Sequence, residues 1–397
     1  MPQPTTASAA RRRPLLLGAF LWYTMAACTF FVPALAILAP FLSREFGLSA
    51  VHIGLITTCF FIVGAGISPV FGAIVDAVGA RTMLLSLFVV SSAAMVVFAA
   101  AQNLAWLIVA ALIGGAGTAL GNPTTNALIS DRVVAGRRGL MVGFKQAGVP
   151  AGSMLAGVML PPVALLWGWR WAVLLGAFIA GLGVVGALRL RASTQPARAE
   201  HADGRGNGSD FGSHRTDVIR LVLYVLLTGA SVSAVQTYLV LFGVDHAGLS
   251  EASAGIAMGV MGFIAMTSRV AVTHLAERLG RPLLFLRVAA VGSLVSVLIL
   301  MGGEHEAALL FLGAAGMGLT GIVANSLAHL VVVSHLPRRM AGRASGMVQA
   351  GFYLSWLSMP AVFGWLVDLQ GSYTVGWLLV AALCAVSVLP TIGWALQ

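Results

Sequence analysis

Residues 82–130 read TMLLSLFVVSSAAMVVFAAAQNLAWLIVAALIGGAGTALGNPTTNALIS and contain no Asp, Glu, Lys or Arg. A helix needs about 20 apolar residues to cross a hydrocarbon core of roughly 30 Å. The stretch is long enough for two such helices and a turn. Residues 14–43 are likewise free of charge. Over all 397 residues, 59% are hydrophobic and 9% charged, whereas a soluble domain carries about 25% charged residues. Such a chain cannot coat itself with water-facing groups, so its outer surface faces a lipid bilayer. The predicted spans are 16–41, 52–75, 82–101, 105–130, 140–163, 170–190, 218–243, 252–275, 282–301, 307–334, 343–367 and 373–395. The fold class expected is an all-α polytopic membrane protein with twelve transmembrane helices.

The net charge of +10 does not point to nucleic acid. The basic residues sit in short clusters between apolar runs, with no basic face and no interleaved aromatic platform. Cys28, Cys59 and Cys384 lie inside apolar runs, without metal-ligand spacing or a disulfide framework. Arg11, Arg12 and Arg13 ahead of an apolar stretch resemble a signal peptide, but Leu15 to Phe41 is too long for a signal core and suits a retained first span. With the N-terminus inside, Arg44 and Arg170 fall outside, Lys145 and Arg269 fall within spans, and the other basic residues lie in or beside cytoplasmic segments. The positive-inside rule therefore predicts a multi-pass protein of a bacterial cytoplasmic (inner) membrane, both termini cytoplasmic. Residues 191–217 are rich in polar, charged, Gly and Pro residues and read as a solvated linker. The expected organisation is a cytoplasmic N-terminus (1–15), an N-terminal six-helix bundle (16–190), the linker (191–217) and a C-terminal six-helix bundle (218–397).

The two halves repeat. Gly143-Phe-Lys145-Gln146-Ala147-Gly148 opens the fifth span, and Gly346-Met-Val348-Gln349-Ala350-Gly351 opens the eleventh. Asp76-Ala-Val-Gly79-Ala-Arg81 follows the second, and Glu277-Arg278-Leu-Gly280-Arg281 follows the eighth. The copies lie 203 and 201 residues apart, so two unrelated features give nearly one period. Repeats of this size in a membrane chain mark transporters made of two pseudo-symmetric bundles with the substrate site between them.

Gly72, Asp76, Gly79 and Arg81 follow the pattern Gly-x-x-x-Asp-x-x-Gly-x-Arg, and the second half holds a degraded copy with Thr273 and Glu277 in the first two positions. In this pattern and in its twelve spans, central linker and repeat, the whole chain resembles the major facilitator superfamily. The resemblance implies alternating access by rocking of the bundles. It also implies a cavity lined by helices 1, 4, 7 and 10, and inter-bundle contact through helices 2, 5, 8 and 11. Many proton-driven drug exporters of that superfamily carry an Arg in helix 4 and acids in helix 1. Neither is present here. Lys145-Gln146-Ala-Gly-Val-Pro150-x-Gly152, with Gly168-Trp169-Arg170-Trp171 further on, is similar to the cyanate-transporter-like branch.

Lys145 is the only lysine in the chain, and it and Arg269 are read as cations within spans. A cation at the centre of a span costs about 2.5–3.5 kcal/mol on insertion scales, so it is usually paired or functional. All 13 acidic residues fall in loops or at helix ends. Two intramembrane cations without an intramembrane acid make an anionic substrate the expected counter-ion. The alternative is that both side chains snorkel toward the interface. Gly148, Pro150 and Gly152 just beyond Lys145 predict a kink, or else close packing by small residues.

Other polar groups in the spans are candidates for substrate contact or for bonds between helices. They are Tyr23, Asn122, Asn126, Gln146, Gln236, Tyr238, Asn325, His329, Gln349 and Tyr353. A cytoplasmic gate is expected from Gly72, Asp76, Gly79, Arg81 and Asp131, with Glu277, Arg278, Gly280 and Arg281 as the second-half counterpart. Asp76 would cap the start of helix 11, and Arg81 would pair with Asp131. No nucleophile elbow, metal cluster or phosphate loop suggests an enzyme, and no cofactor or metal is expected. The leading expectation is a monomeric secondary transporter for a small anion, a monocarboxylate or cyanate-like ion. Proton symport, uniport and anion exchange stay open. Rivals are efflux of hydrophobic drugs or neutral solutes, and a non-transporting membrane sensor.

Overall fold

The computed structural model describes residues 6–134, 137–190 and 208–394. The side chains of Gly72 and Asp76, most of the expected linker and the first residues of the N-terminus lie outside what is described. The described residues are helical almost throughout, with no strand among them.

Helices α1 (Thr6–Thr29) and α2 (Phe31–Phe46) make one span bent by 42°. The predicted 16–41 span held no such break. Pro33 explains it, because it offers no N–H to the carbonyl of Thr29 and its ring crowds that carbonyl. Spans two to four are α3 (Ala50–Val78), α4 (Ala80–Ala99) and α5 (Leu104–Arg132). Span five consists of α6 (Arg138–Gln146) and α7 (Gly148–Trp167), interrupted at Ala147 four residues after Gly143 and just before the predicted kink residues. Span six is α8 (Trp169–Arg189).

In the second half α9 (Gly208–Asp245) begins within the segment read as linker. It is followed by α10 (Glu251–Arg278) and α11 (Pro282–Met301). Span ten is broken at Thr320 into α12 (Ala307–Leu319) and α13 (Gly321–His335). The Thr320 hydroxyl bonds back to the Gly316 carbonyl at 2.7 Å, a local alternative to the helical ladder. The last two spans are α14 (Arg338–Gln370) and α15 (Thr374–Val386). Counted by length and hydropathy, eleven helices plus the bent first pair give twelve spans.

Within the first half α3 packs on α5, α4 on α5 and α8, and α7 on α1 and α8; in the second, α9 packs on α14 and α11 on α12 and α15. The halves meet along α3 with α14, α7 with α10, and α2 with α9. Helices 2 and 11, and 5 and 8, thus form the seam.

The seam is shut at the end away from the linker. There the Asp368 carboxylate, at the end of α14, accepts the backbone N–H groups of Ala50 and Val51 at 3.0 Å each, capping α3 across the seam. Both bonds go to an anion at a helix N-terminus, where exposed N–H groups and the helix dipole favour negative charge. Tyr238 donates to the carbonyls of Pro360 (2.6 Å) and Ala50 (2.9 Å). Thr58 donates to Leu357 at 2.9 Å, and Arg44 pairs with Glu251. A Cβ on Gly54 would collide with the Pro360 carbonyl, so glycine is what lets α3 and α14 approach this closely. Toward the linker end a Cβ on Gly346 of α14 would meet nothing within 4 Å.

Asp368→Asn keeps the shape but replaces a charged acceptor by a neutral one that offers a single carbonyl oxygen. The expected cost to the closed end is about 1–3 kcal/mol. Spin labels at the exposed residues Leu55 and Leu369 should report a larger population of longer distances in the variant.

Candidate functional site

Between the bundles lies a cavity of about 130 Å³. Helices 1, 4, 7 and 10 contribute Thr29, Thr118, Asn122, Gln236 and Asn325. The seam helices contribute as much. Phe60 and Phe61 come from α3, Gln146 and Ser153 from span five, Arg269 from α10, and Gln349, Phe352, Tyr353 and Trp356 from α14.

The two intramembrane cations occupy different places. Lys145 is fully buried and lies behind the cavity wall, outside its lining. Its ammonium donates to Asn126 Oδ1 (2.6 Å), Thr125 Oγ1 (2.7 Å) and Asn122 Oδ1 (3.2 Å), all on α5. An ammonium has three protons, so these neutral acceptors satisfy it without a carboxylate. Asn122 also accepts from Gln146 Nε2 at 3.4 Å. It therefore stands between the buried charge and the cavity.

Arg269 reaches the cavity from the other bundle. Its Nη1 donates to the backbone carbonyl of Gln146 at 3.0 Å, across the seam. That carbonyl is available because the residue four positions on is Pro150, which has no N–H to close the helical bond. The proline thus interrupts span five and creates the acceptor that Arg269 fills. Arg269 has no acidic partner among the described residues, and its Nε–H is buried without an acceptor. Two other cavity-lining groups are buried and unpaired, the Asn325 carbonyl oxygen and the Trp356 indole N–H.

Seven of the expected site residues line the cavity: Asn122, Gln146, Gln236, Arg269, Asn325, Gln349 and Tyr353. The others are placed elsewhere. Asn126 is bound to Lys145. His329 lies behind Gln349, with Nε2 3.3 Å from Gln349 Oε1. Tyr23 donates to Ile179 within the first bundle, and Tyr238 is one of the closing contacts at the far end. The placement shows a symmetry among the polar residues. Asn122 and Asn325, Asn126 and His329, and Gln146 and Gln349 all stand 203 residues apart. Lys145 and Arg269 break it.

At the linker end the expected pair of Arg81 with Asp131 is not formed among the described residues. Gly79 (φ +89°) and Gly280 (φ +62°) make matching turns after α3 and α10, a backbone conformation that explains why both copies of the motif hold glycine there. Arg81 donates to the Leu188 carbonyl at 2.9 Å rather than to Asp131, which lies 3.7 Å from Arg132. Glu277, Arg278 and Arg281 are exposed. Sequence reasoning missed Asp368 as a gate residue, as well as Thr118, Ser153 and the aromatic lining. No motif marks Asp368, because its partner is a pair of backbone N–H groups.

A twelve-span chain in two repeated bundles, closed at one end over a shared polar cavity, has the architecture of a secondary transporter. The Major Facilitator Superfamily model matches residues 15–358, and the chain belongs to that family of transporters. An uncharacterised MFS-type transporter of Mycobacterium tuberculosis is 22% identical over 376 residues, covering 91% of this chain and 81% of that protein. A probable sulfoacetate transporter of Cupriavidus necator is 25% identical over 390 residues, covering 90% and 88%. A bacterial homolog of the human lysosomal transporter Spinster, solved in an inward-facing and occupied conformation, matches with a TM-score of 0.74 at 16% identity, over 96% of this chain and 95% of that one.

Two variants separate the roles of the polar groups. Lys145→Met leaves Asn122, Thr125 and Asn126 without their donor, and should cost about 1–3 kcal/mol of stability, read as a lower melting temperature in detergent. Pro150→Ala restores a donor for the Gln146 carbonyl, which then no longer needs Arg269. Labels on α6 and α10 should report a looser seam at that level.

Proposed function

We propose that the protein carries a small anion, a monocarboxylate or cyanate-like ion, across the cytoplasmic membrane by alternating access, with Arg269 as the group that binds it. The observation that carries this reading is the buried guanidinium at the seam, which faces the cavity with no acidic partner among the described residues and with Nε–H unpaired. A guanidinium presents two parallel N–H groups to a carboxylate, and a bound anion would neutralise the charge. Lys145 supports the same polarity from one hydrogen bond further back, through Asn122. The amide groups of Gln146, Gln236, Asn325 and Gln349 would shape the rest of the pocket.

Arg269 also ties the bundles together through the Gln146 carbonyl. An anion arriving there competes with that carbonyl for the same donors, so binding and the seam are linked at one group. Asp368 holds one end shut, and Asp76 stands at the opposite end of α3. In the alternate state Asp76 would cap the start of α14 and Arg81 would turn to Asp131, closing the linker end. With both termini cytoplasmic, the end shut by Asp368 would face outward. His329, a histidine beside Gln349, is where a coupling proton is to be sought.

Uptake into liposomes containing the purified protein is the test, with sulfoacetate and short monocarboxylates as the first probes. Arg269→Gln should lose about 2–5 kcal/mol of anion binding, twenty-fold or more. Arg269→Lys should recover part of it, since a lysine keeps the charge and loses the fork. Lys145→Gln should cost less than Arg269→Gln. Undiminished anion uptake by Arg269→Gln would remove the role assigned to that residue.

A further inference from the structure

We infer that the anion carried at Arg269 is a monocyclic aromatic carboxylate, its carboxylate on the guanidinium and its ring against the α3–α14 aromatic wall. This rests on the reading of Arg269 as the anion-binding group and adds what the rest of the solute must look like.

Five rings line the cavity: Phe60 and Phe61 from α3, and Phe352, Tyr353 and Trp356 from α14. They are one connected set. Phe61 and Trp356 have ring centroids 4.7 Å apart, Phe60 and Phe61 5.2 Å, and Phe352 and Trp356 6.2 Å. An inorganic ion or a two-carbon acid gains little from such a wall, because little or none of its surface is apolar. A flat apolar ring does, since aromatic faces and edges attract one another in offset and tilted arrangements.

The depths agree. At 1.5 Å per residue, Arg269 lies about 27 Å along α10 from Glu251 at the closed end, and Trp356 about 21 Å along α14 from Gln370 at the same end. Measured along their own helices, the two positions thus differ in depth by about 6 Å. A carboxylate held by the guanidinium places a directly attached ring toward the indole.

The unpaired groups describe the solute further. Trp356 offers an N–H at the level of the ring, and Asn325 an oxygen acceptor. A ring hydroxyl can accept from the first or donate to the second. Hydroxylated benzoates therefore satisfy more of the buried polar groups than benzoate does.

The experiment is a thermal-shift titration of the purified full chain in detergent, followed by counterflow in liposomes with the ligands that bind. The probes are benzoate, 4-hydroxybenzoate, cyclohexanecarboxylate, propionate and benzyl alcohol. A ligand of the folded state raises its apparent stability. Benzoate and 4-hydroxybenzoate should bind at least about ten-fold more tightly than cyclohexanecarboxylate, which matches benzoate in charge and size and lacks the flat π-face. Trp356→Leu should remove that preference, and Trp356→Phe should keep it. Equal affinity for benzoate and cyclohexanecarboxylate, with Arg269→Gln still abolishing both, overturns the aromatic inference and leaves the anion reading standing. Binding of benzyl alcohol as tight as benzoate, or binding of none of the four anions, overturns both.

Discussion

The bond from Arg269 to the Gln146 carbonyl organises the centre of this transporter. It exists because of a proline. Pro150 withholds the N–H that would have closed a turn of span five, and the freed carbonyl turns to a guanidinium on the opposite bundle. A backbone acceptor at that depth cannot be left without a donor, since the hydrocarbon around the bundles offers none. The same guanidinium is the charged group facing the cavity. Cavity and seam therefore meet at one side chain, and whatever binds there acts on both.

The two cations illustrate how burial sorts charge. Lys145 is enclosed by three neutral oxygens on α5, and all its protons are used. It lies one hydrogen bond behind the cavity, with Asn122 between. Arg269 has more donors than its surroundings accept. A planar, delocalised cation tolerates that better than an ammonium, and the surplus is what a solute can use. At the far end the logic is reversed. Asp368 has no cationic partner printed on it by the sequence, and the N-terminus of α3 takes that part.

Much was legible in the residues. Twelve spans followed from apolar runs, and the two bundles from the 203-residue period. The break in span five was announced by Gly148, Pro150 and Gly152. The bend at Pro33 was equally available and was passed over, because a proline among apolar residues does not interrupt a hydropathy profile. The break at Thr320 carries no such marker, as threonines are common in spans. Arg269 and the amide groups of the cavity were named from the rule that polar residues in a membrane have work to do. The same rule swept in Tyr23 and Tyr238, whose hydroxyls are spent on carbonyls of neighbouring helices.

The sequence by itself determined that this chain lies in a membrane, that it is built twice over, and that its interior is cationic. Those properties depend on composition and period, which survive any arrangement of the helices. Only the tertiary structure decided which cation faces the cavity, which aromatic residues gather into a wall, and which carboxylate shuts the far end. Each of these depends on helix rotation and on contacts between residues as distant as Arg269 and Gln146. Hydropathy is indifferent to rotation, so a span's polar side chain can point at a solute or at the next helix with the same sequence.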